Sequence, residues 1–281
     1  MRLSQNLASL NVYRNHLYNL KNQSRSMARI SSGSKFDSFK DDPIAYAQSE
    51  KFRLQLGSYT SAAKNIQDNI SMLQTAEGGM NSISDSLNRI RTLVVSSGGG
   101  STEKDKAHIM NEIESILEGI DYTSKNTEFN SIKLLCNEES TDIKNPQIIK
   151  SLIGNGKEDK VDIPIYNITT ESLGLKEKDK VNIYFDDIPK TLMLIDNSIG
   201  AINSIRSKYG ALESRLEENF NNMNEIYNTV QKAESFIRDT DIGEEIIEVT
   251  KSSILIEAGN AIMVQTNKFP LEVLRILENA K

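Results

Sequence analysis

Apolar residues recur at alternating steps of three and four along most of this chain, the spacing of one face of an α-helix. The longest run lies within residues 44–95. There Tyr59, Ala63, Ile66, Ile70, Leu73, Ala76, Met80, Ile83, Leu87, Ile90 and Val94 form one stripe with no proline between them. At about 1.5 Å per residue this predicts a rod on the order of 75 Å long, which needs partner helices to bury its stripe. A second stripe runs through residues 191–237, from Leu192, Ile195, Ile199 and Ile202 to Leu216, Phe220 and Met223. A shorter helix over residues 102–124, with Ile109, Ile113, Ile116, Leu117 and Ile120 on one face, follows the glycine-rich turn at 96–101. So short a turn predicts that it runs antiparallel to the rod.

The ends carry the same period. Residues 3–30 place Leu3, Leu10, Tyr13, Leu17, Leu20 and Met27 on a coiled-coil-type seam. That helix is rich in Asn and Ser and would be marginal alone, so it is expected to order only when paired. Gly33 suits its C-terminus, and Asp41 or Asp42 before Pro43 suits the start of the next helix. After a polar break at 238–245, residues 246–266 carry a wide apolar arc: Ile246, Ile247, Ile254, Leu255, Ala258, Ile262 and Met263. This helix is expected to stop before Pro270. Residues 127–135 read as an irregular or turn segment. Residues 137–190 lose the helical period and read as two strands joined across Gly154 and Gly156, with a further strand in 180–187.

The fold class expected is mainly α: a long-helix coiled-coil or bundle rod formed by N- and C-terminal segments, with a small β-hairpin region. Its segments are a terminal helix and connector (1–42), the first part of a helical core (43–136), a β-hairpin insert (137–190), the second part of the core (191–237) and a C-terminal helix (238–281). An apolar content of 38%, 26% charged residues, no Trp and five Pro fit long helices packed through aliphatic seams. A net charge of −6 gives no case for nucleic-acid binding, but the charge is uneven. Residues 1–60 carry nine Lys/Arg against four Asp/Glu, whereas residues 211–281 carry seven against thirteen, so the ends can attract one another. No run approaches a membrane span, and no apolar core of a cleaved signal peptide is visible near the start.

Candidate chemistry is sparse. The single Cys136 excludes an internal disulfide. His16 and His108 lack a metal-ligand partner at helical spacing, and there is no Gly-x-Ser-x-Gly or phosphate-binding loop. The carboxylates Asp41, Asp42, Asp239 and Asp241 sit at predicted helix boundaries, where capping is their expected role. No catalytic, cofactor-binding or metal residue is expected, and the residues by themselves point to a structural or assembly protein.

Several stretches then carry a family resemblance. The segments "LSQNLASLNVYRN" and "ISSGSKFDSFKDDPIAYAQSEKFRLQL" resemble the N-terminal region of flagellins. So do "NIQDNISMLQTAEGGMNSISDSLNRIRTLVV" and "NTEFNSIKLL". "RSKYGALESRLEENFNNM" and "AESFIRDTDIGEEIIEVTKSSILIEAGNAIMVQTN" are similar to the C-terminal region. The resemblance implies an extracellular filament subunit of the bacterial flagellum, without cofactors, that polymerises with copies of itself. Its terminal helices would order on polymerisation through Leu3, Leu10, Tyr13, Leu17, Leu20, Met27, Ile246, Ile254, Leu255, Ile262 and Met263. It also implies export without a cleaved signal, an export chaperone on residues 246–277, and contacts with hook–filament junction and cap proteins.

Flagellins sensed by an animal innate receptor use positions that match Arg89, Leu93 and Glu112 here. Thr92 and Val94-Val95-Ser96 depart from that pattern. The segment "DDPIA" also resembles the hook–filament junction protein, so that protein, or a minor flagellin, is the alternative. A filament-borne enzyme is the reading from another class, and the short insert without a metal motif argues against it.

Overall fold

A computed structural model describes residues 6–36, 38–99, 102–136, 143, 145–154, 156, 158–177, 180–185 and 187–279, and in the last helix the side chains through residue 270 and at 272 and 275. The elements in order are α1 (Leu7–Ser32), α2 (Pro43–Ser97), α3 (Glu103–Asn126), β1 (Glu128–Phe129), β2 (Ile132–Lys133), β3 (Gln147–Leu152), β4 (Lys160–Ile165), β5 (Lys176–Glu177), β6 (Lys180–Val181), α4 (Ile188–Arg238) and α5 (Ile242–Asn279). The chain forms two compact units. One comprises residues 55–228, the other residues 1–54 with 229–281.

In the unit of residues 55–228 the predicted stripes meet. Ile66, Met80, Ile83, Leu87, Ile90 and Val94 of α2 are fully buried, in one cluster with Ile113, Leu117 and Ile120 of α3 and Ile195, Ile202 and Leu216 of α4. The directions follow from paired residues. Gly79 lies against Thr127 while Arg89 pairs with Glu112, so α3 runs antiparallel to α2. Arg91 pairs with Asp196 and Glu77 with Arg206, so α4 does too. Helix α3 opens with a capping box, in which Thr102 Oγ1 accepts from Asp105 N and the Asp105 carboxylate accepts from Thr102 N. The Thr102 hydroxyl also donates to the Asp105 carboxylate at 2.7 Å, and this bond, with the one from Thr102 N, holds the carboxyl below its ordinary value.

The two strands expected around Gly154 and Gly156 are β3 and β4, antiparallel from Gln147 opposite Ile165 to Leu152 opposite Lys160. Asn155, at the tip of that connection, lies outside the described residues. Strand β4 alternates strictly, burying Val161, Ile163 and Ile165. The hairpin is tied down by Asn69 Nδ2, which donates to Ser151 Oγ at 2.7 Å, and by Tyr209, whose hydroxyl donates to the Pro164 carbonyl at 2.8 Å.

Two local readings are corrected. Residues 127–135 are not irregular: β1 and β2 pair across Asn130 and Ser131, whose φ values of 51° and 64° define a two-residue hairpin turn with both central residues left-handed. The strand expected over 180–187 is confined to Lys180–Val181. Beyond it, the Thr191 hydroxyl accepts from Tyr184 N and donates to Tyr184 O, so a side chain satisfies the backbone there instead of a strand partner.

The unit formed by the chain ends contains α1, the connector, the start of α2, the end of α4 and α5. Asn6 caps α1 and Gly33, at φ 70°, closes it. Asp42 accepts from the amides of Ile44 and Ala45 at the start of α2, and Asp241 from those of Gly243 and Glu244 at the start of α5, the capping roles expected of them. The connectors pair as a short antiparallel bridge: Lys35 N donates to Arg238 O at 2.7 Å and Thr240 N to Gly33 O at 3.0 Å. Helix α5 does not stop before Pro270 but runs through it to Asn279.

Candidate assembly surface

Helices α1 and α5 lie side by side and antiparallel: Asn6 bonds to Thr266, Gln23 to Ser253, and Arg29 to Glu245. Helix α1 carries two heptad stripes one residue apart, and a shift of one residue turns a stripe by about 100° around a helix of 3.6 residues per turn, whereas α5 carries one heptad stripe with a broad apolar arc outside it. The stripes have different jobs. In α1 the stripe that faces α5 is Ser9, Val12, His16, Asn19, Gln23, Ser26 and Ile30, all half-buried or buried. In α5 it is Glu245, Val249, Ser252, Ile256, Gly259, Met263 and Thr266. This seam is mostly small or polar.

The apolar stripe expected on α1 points elsewhere. Leu10 is 45% exposed, Leu17 47%, and Tyr13, Leu20 and Met27 are comparably open. Ile246, Ile247, Ile254, Leu255, Ile262, Val264 and Phe269 are likewise exposed on α5. Of the α5 residues expected on the polymerisation seam, Met263 alone turns toward α1 and is half-buried. Leu3 lies outside the described residues. The two helices thus pair by a mostly polar stripe and leave these larger apolar side chains open. The polar stripe shows the same three–four spacing in sequence, but a search keyed to large apolar residues passes over Ser, Asn and Gln.

One carboxylate is buried in the polar seam. Glu245 is 8% exposed and accepts from Arg29 Nη1 at 3.0 Å, from Ser26 and from Thr240. Burial pushes its carboxyl up, but the bonds from Ser26 and Arg29, the Arg29 charge and Thr240 together hold it below the ordinary range.

The other predicted positions lie on α2 and α3. Arg89 and Glu112 form an exposed ion pair at 2.7 Å. Leu93 is 7% exposed and belongs to the core beneath them. Among the described residues no group of three His, Cys, Asp or Glu could hold a metal ion, and no helix is long and apolar enough to cross a membrane.

The sequence matches two family models: the bacterial flagellin N-terminal helical region over residues 3–140 and the bacterial flagellin C-terminal helical region over residues 192–277. It is 34% identical to a flagellin of Bacillus subtilis, covering 99% of this chain and all of that one. It is 28% identical, over 99% of this chain and all of the relative, to a flagellar filament 31.3 kDa core protein of Treponema maltophilum. The crystal structure of Bacillus cereus flagellin matches with 25% identity and a TM-score of 0.48, over 57% of this chain and 88% of that one. With both helical regions matched in order and a relative aligned from end to end, the chain belongs to the bacterial flagellin family.

Proposed function

We propose that this chain is a structural subunit of the bacterial flagellar filament, outside the cell, and that copies assemble by covering each other's open stripes on α1 and α5. One observation carries the reading: α1 and α5 are already paired, yet the larger apolar side chains of both remain in solvent. Burying a half-exposed Leu or Ile is worth about 1 kcal/mol, and a dozen such residues on two adjoining helices form a patch that calls for a partner. A second copy satisfies it without any cofactor, and the protein is structural, not enzymatic.

The same α1–α5 surface serves the partners of assembly. Before export, a chaperone groove takes the α5 arc from Ile246 to Phe269 in place of a neighbouring subunit. Hook–filament junction and cap proteins meet it at the filament's ends. For an animal innate receptor, the exposed Arg89–Glu112 pair is the contact, with Leu93 acting only as the packing beneath it.

The test replaces Leu10 and Leu17 together by Asp. Both point away from the α1–α5 seam, so the helical content of residues 55–228 is retained while seeded polymerisation falls below about a tenth of the unmodified yield. A filament yield equal to that of the unmodified chain would defeat the proposal.

A further inference from the structure

The polar seam between α1 and α5 raises a problem of register. Side chains spaced by heptads can also pack one turn along in either direction, and with Ser9, Asn19, Ser252 and Gly259 between them, Val12, Ile30, Val249, Ile256 and Met263 are too few knobs to prevent it. Buried polar groups set register where a slip would strand them. Two places along this pair have that property, and they lie at its opposite ends.

At one end, Pro270 lacks an amide hydrogen, so the carbonyl four residues earlier, that of Thr266, loses its helical donor. Asn6 supplies the replacement, its Nδ2 donating to Thr266 O at 2.9 Å. Its Oδ1 meanwhile accepts from Ser9 N at 3.1 Å as the cap of α1. One side chain thus closes the start of one helix and repairs the gap in the other. At the far end, the buried Glu245 carboxylate is matched by Arg29, one turn before α1 ends, together with Ser26 and Thr240. A slip of one turn would leave the Thr266 carbonyl without a donor and the Glu245 charge without its guanidinium.

We infer that Asn6 with the proline-freed Thr266 carbonyl, and Arg29 with Glu245, are the two clasps that set the register of α1 on α5. The inference rests on the assembly reading for its consequence. The open residues of α1 lie one residue from the seam and those of α5 on the arc outside it, so a register shift would displace Leu10 and Leu17 relative to Ile254 and Leu255 by a full turn. Copies could then no longer present one repeating surface. Asn6, Arg29 and Glu245 are positioning residues, outside the open stripes that meet a neighbouring copy.

The test reads register directly. In the full chain with Cys136→Ser, Gln23→Cys is combined with Ser253→Cys, whose native side chains are 2.8 Å apart. Slipped reporters combine Gln23→Cys with Val249→Cys or with Ile256→Cys. Cross-linking under mild oxidation is measured on both the soluble chain and seeded filaments. The in-register pair is expected to form at least about tenfold more product than either slipped pair. Adding Asn6→Ala with Glu245→Ala should bring the slipped products to within about twofold of it. Arg29→Glu should relax the selectivity, and Arg29→Glu with Glu245→Arg should restore it, which a merely destabilised seam would not do. Selectivity untouched by these changes overturns the inference. So does absence of the in-register product in both samples. A chain that cross-links in register but never polymerises counts against the assembly reading and leaves the clasps standing.

Discussion

Gly78 and Gly79 are neighbours in the middle of α2, and replacing each by Ala should separate their effects: Gly78→Ala stabilises and Gly79→Ala does not. A Cβ on Gly78 meets nothing within 4 Å. Gly78→Ala therefore keeps only the backbone gain of Gly→Ala in a helix, about 1 kcal/mol. A Cβ on Gly79 would lie 2.7 Å from Leu135 Cδ1 and 2.8 Å from Thr127 Oγ1. Neither neighbour yields easily, because Leu135 is fully buried and the Thr127 hydroxyl donates to Thr123 O at 2.7 Å. Overpacking of this kind costs about 1–3 kcal/mol, so Gly79→Ala should range from neutral to about 2 kcal/mol destabilising. Helix propensity cancels between the two variants, and their difference isolates the close approach of the β1–β2 hairpin to α2. At roughly 2–4 °C per kcal/mol for a unit of this size, they should melt about 2–12 °C apart. Thermal unfolding followed by helical circular dichroism reads this on the full-length chain. Equal shifts of the same sign would show that the hairpin does not pack on Gly79 as described.

Other outcomes follow from single groups. Because the folded Glu245 carboxyl lies below its ordinary value of about 4.5, its contribution is present above that value and is lost as pH falls through the folded pKa. Amide exchange in α1 should accelerate over that interval in the native chain, with no such step in Glu245→Gln; superimposable profiles would contradict it. Burial, with Tyr166 beside it, pushes the Tyr209 phenol above its ordinary 10, so its contribution holds below pH 10 and is lost as pH rises through the folded pKa. Alkaline spectrophotometric titration should show one of the nine tyrosines resisting ionisation until the helices melt, and Tyr209→Phe should remove that laggard at a cost of about 1–2 kcal/mol. Arg89→Asp should leave filament yield unchanged, since the exposed Arg89–Glu112 pair contributes at most about 1 kcal/mol. It should lower signalling through an animal flagellin receptor, and unaltered signalling would remove Arg89 from that contact.

The rods were legible because their stripes are continuous: from Ile66 to Val94 each residue predicted to face inward is buried. The β3–β4 hairpin was legible from the change of period and its glycines, and the caps from Asp42 and Asp241. Two features of the terminal pair were not. Hydrophobic periodicity identifies a face that wants burial, so it marks the open apolar stripe of α1 and passes over the mostly polar stripe one residue away that contacts α5. Pro270 was read as a stop because a lost helical hydrogen bond normally ends the helix. The compensating donor, Asn6, lies 260 residues away in sequence, beyond any local signal. Likewise Leu93, matched by family pattern to a surface contact, is core here, because burial depends on what packs over α2 and not on the residue type.

The most direct measurement is helical reconstruction by electron cryomicroscopy of filaments grown from the purified chain on sheared seeds. Uniform filaments in which Leu10, Leu17, Ile254 and Leu255 of each copy are buried against other copies, with α1 and α5 still joined through Ser26, Arg29 and Glu245, are the predicted result. Filaments whose α1 stripe faces solvent, or a chain that stays soluble on seeding, would contradict the claim that these open stripes are the assembly surface.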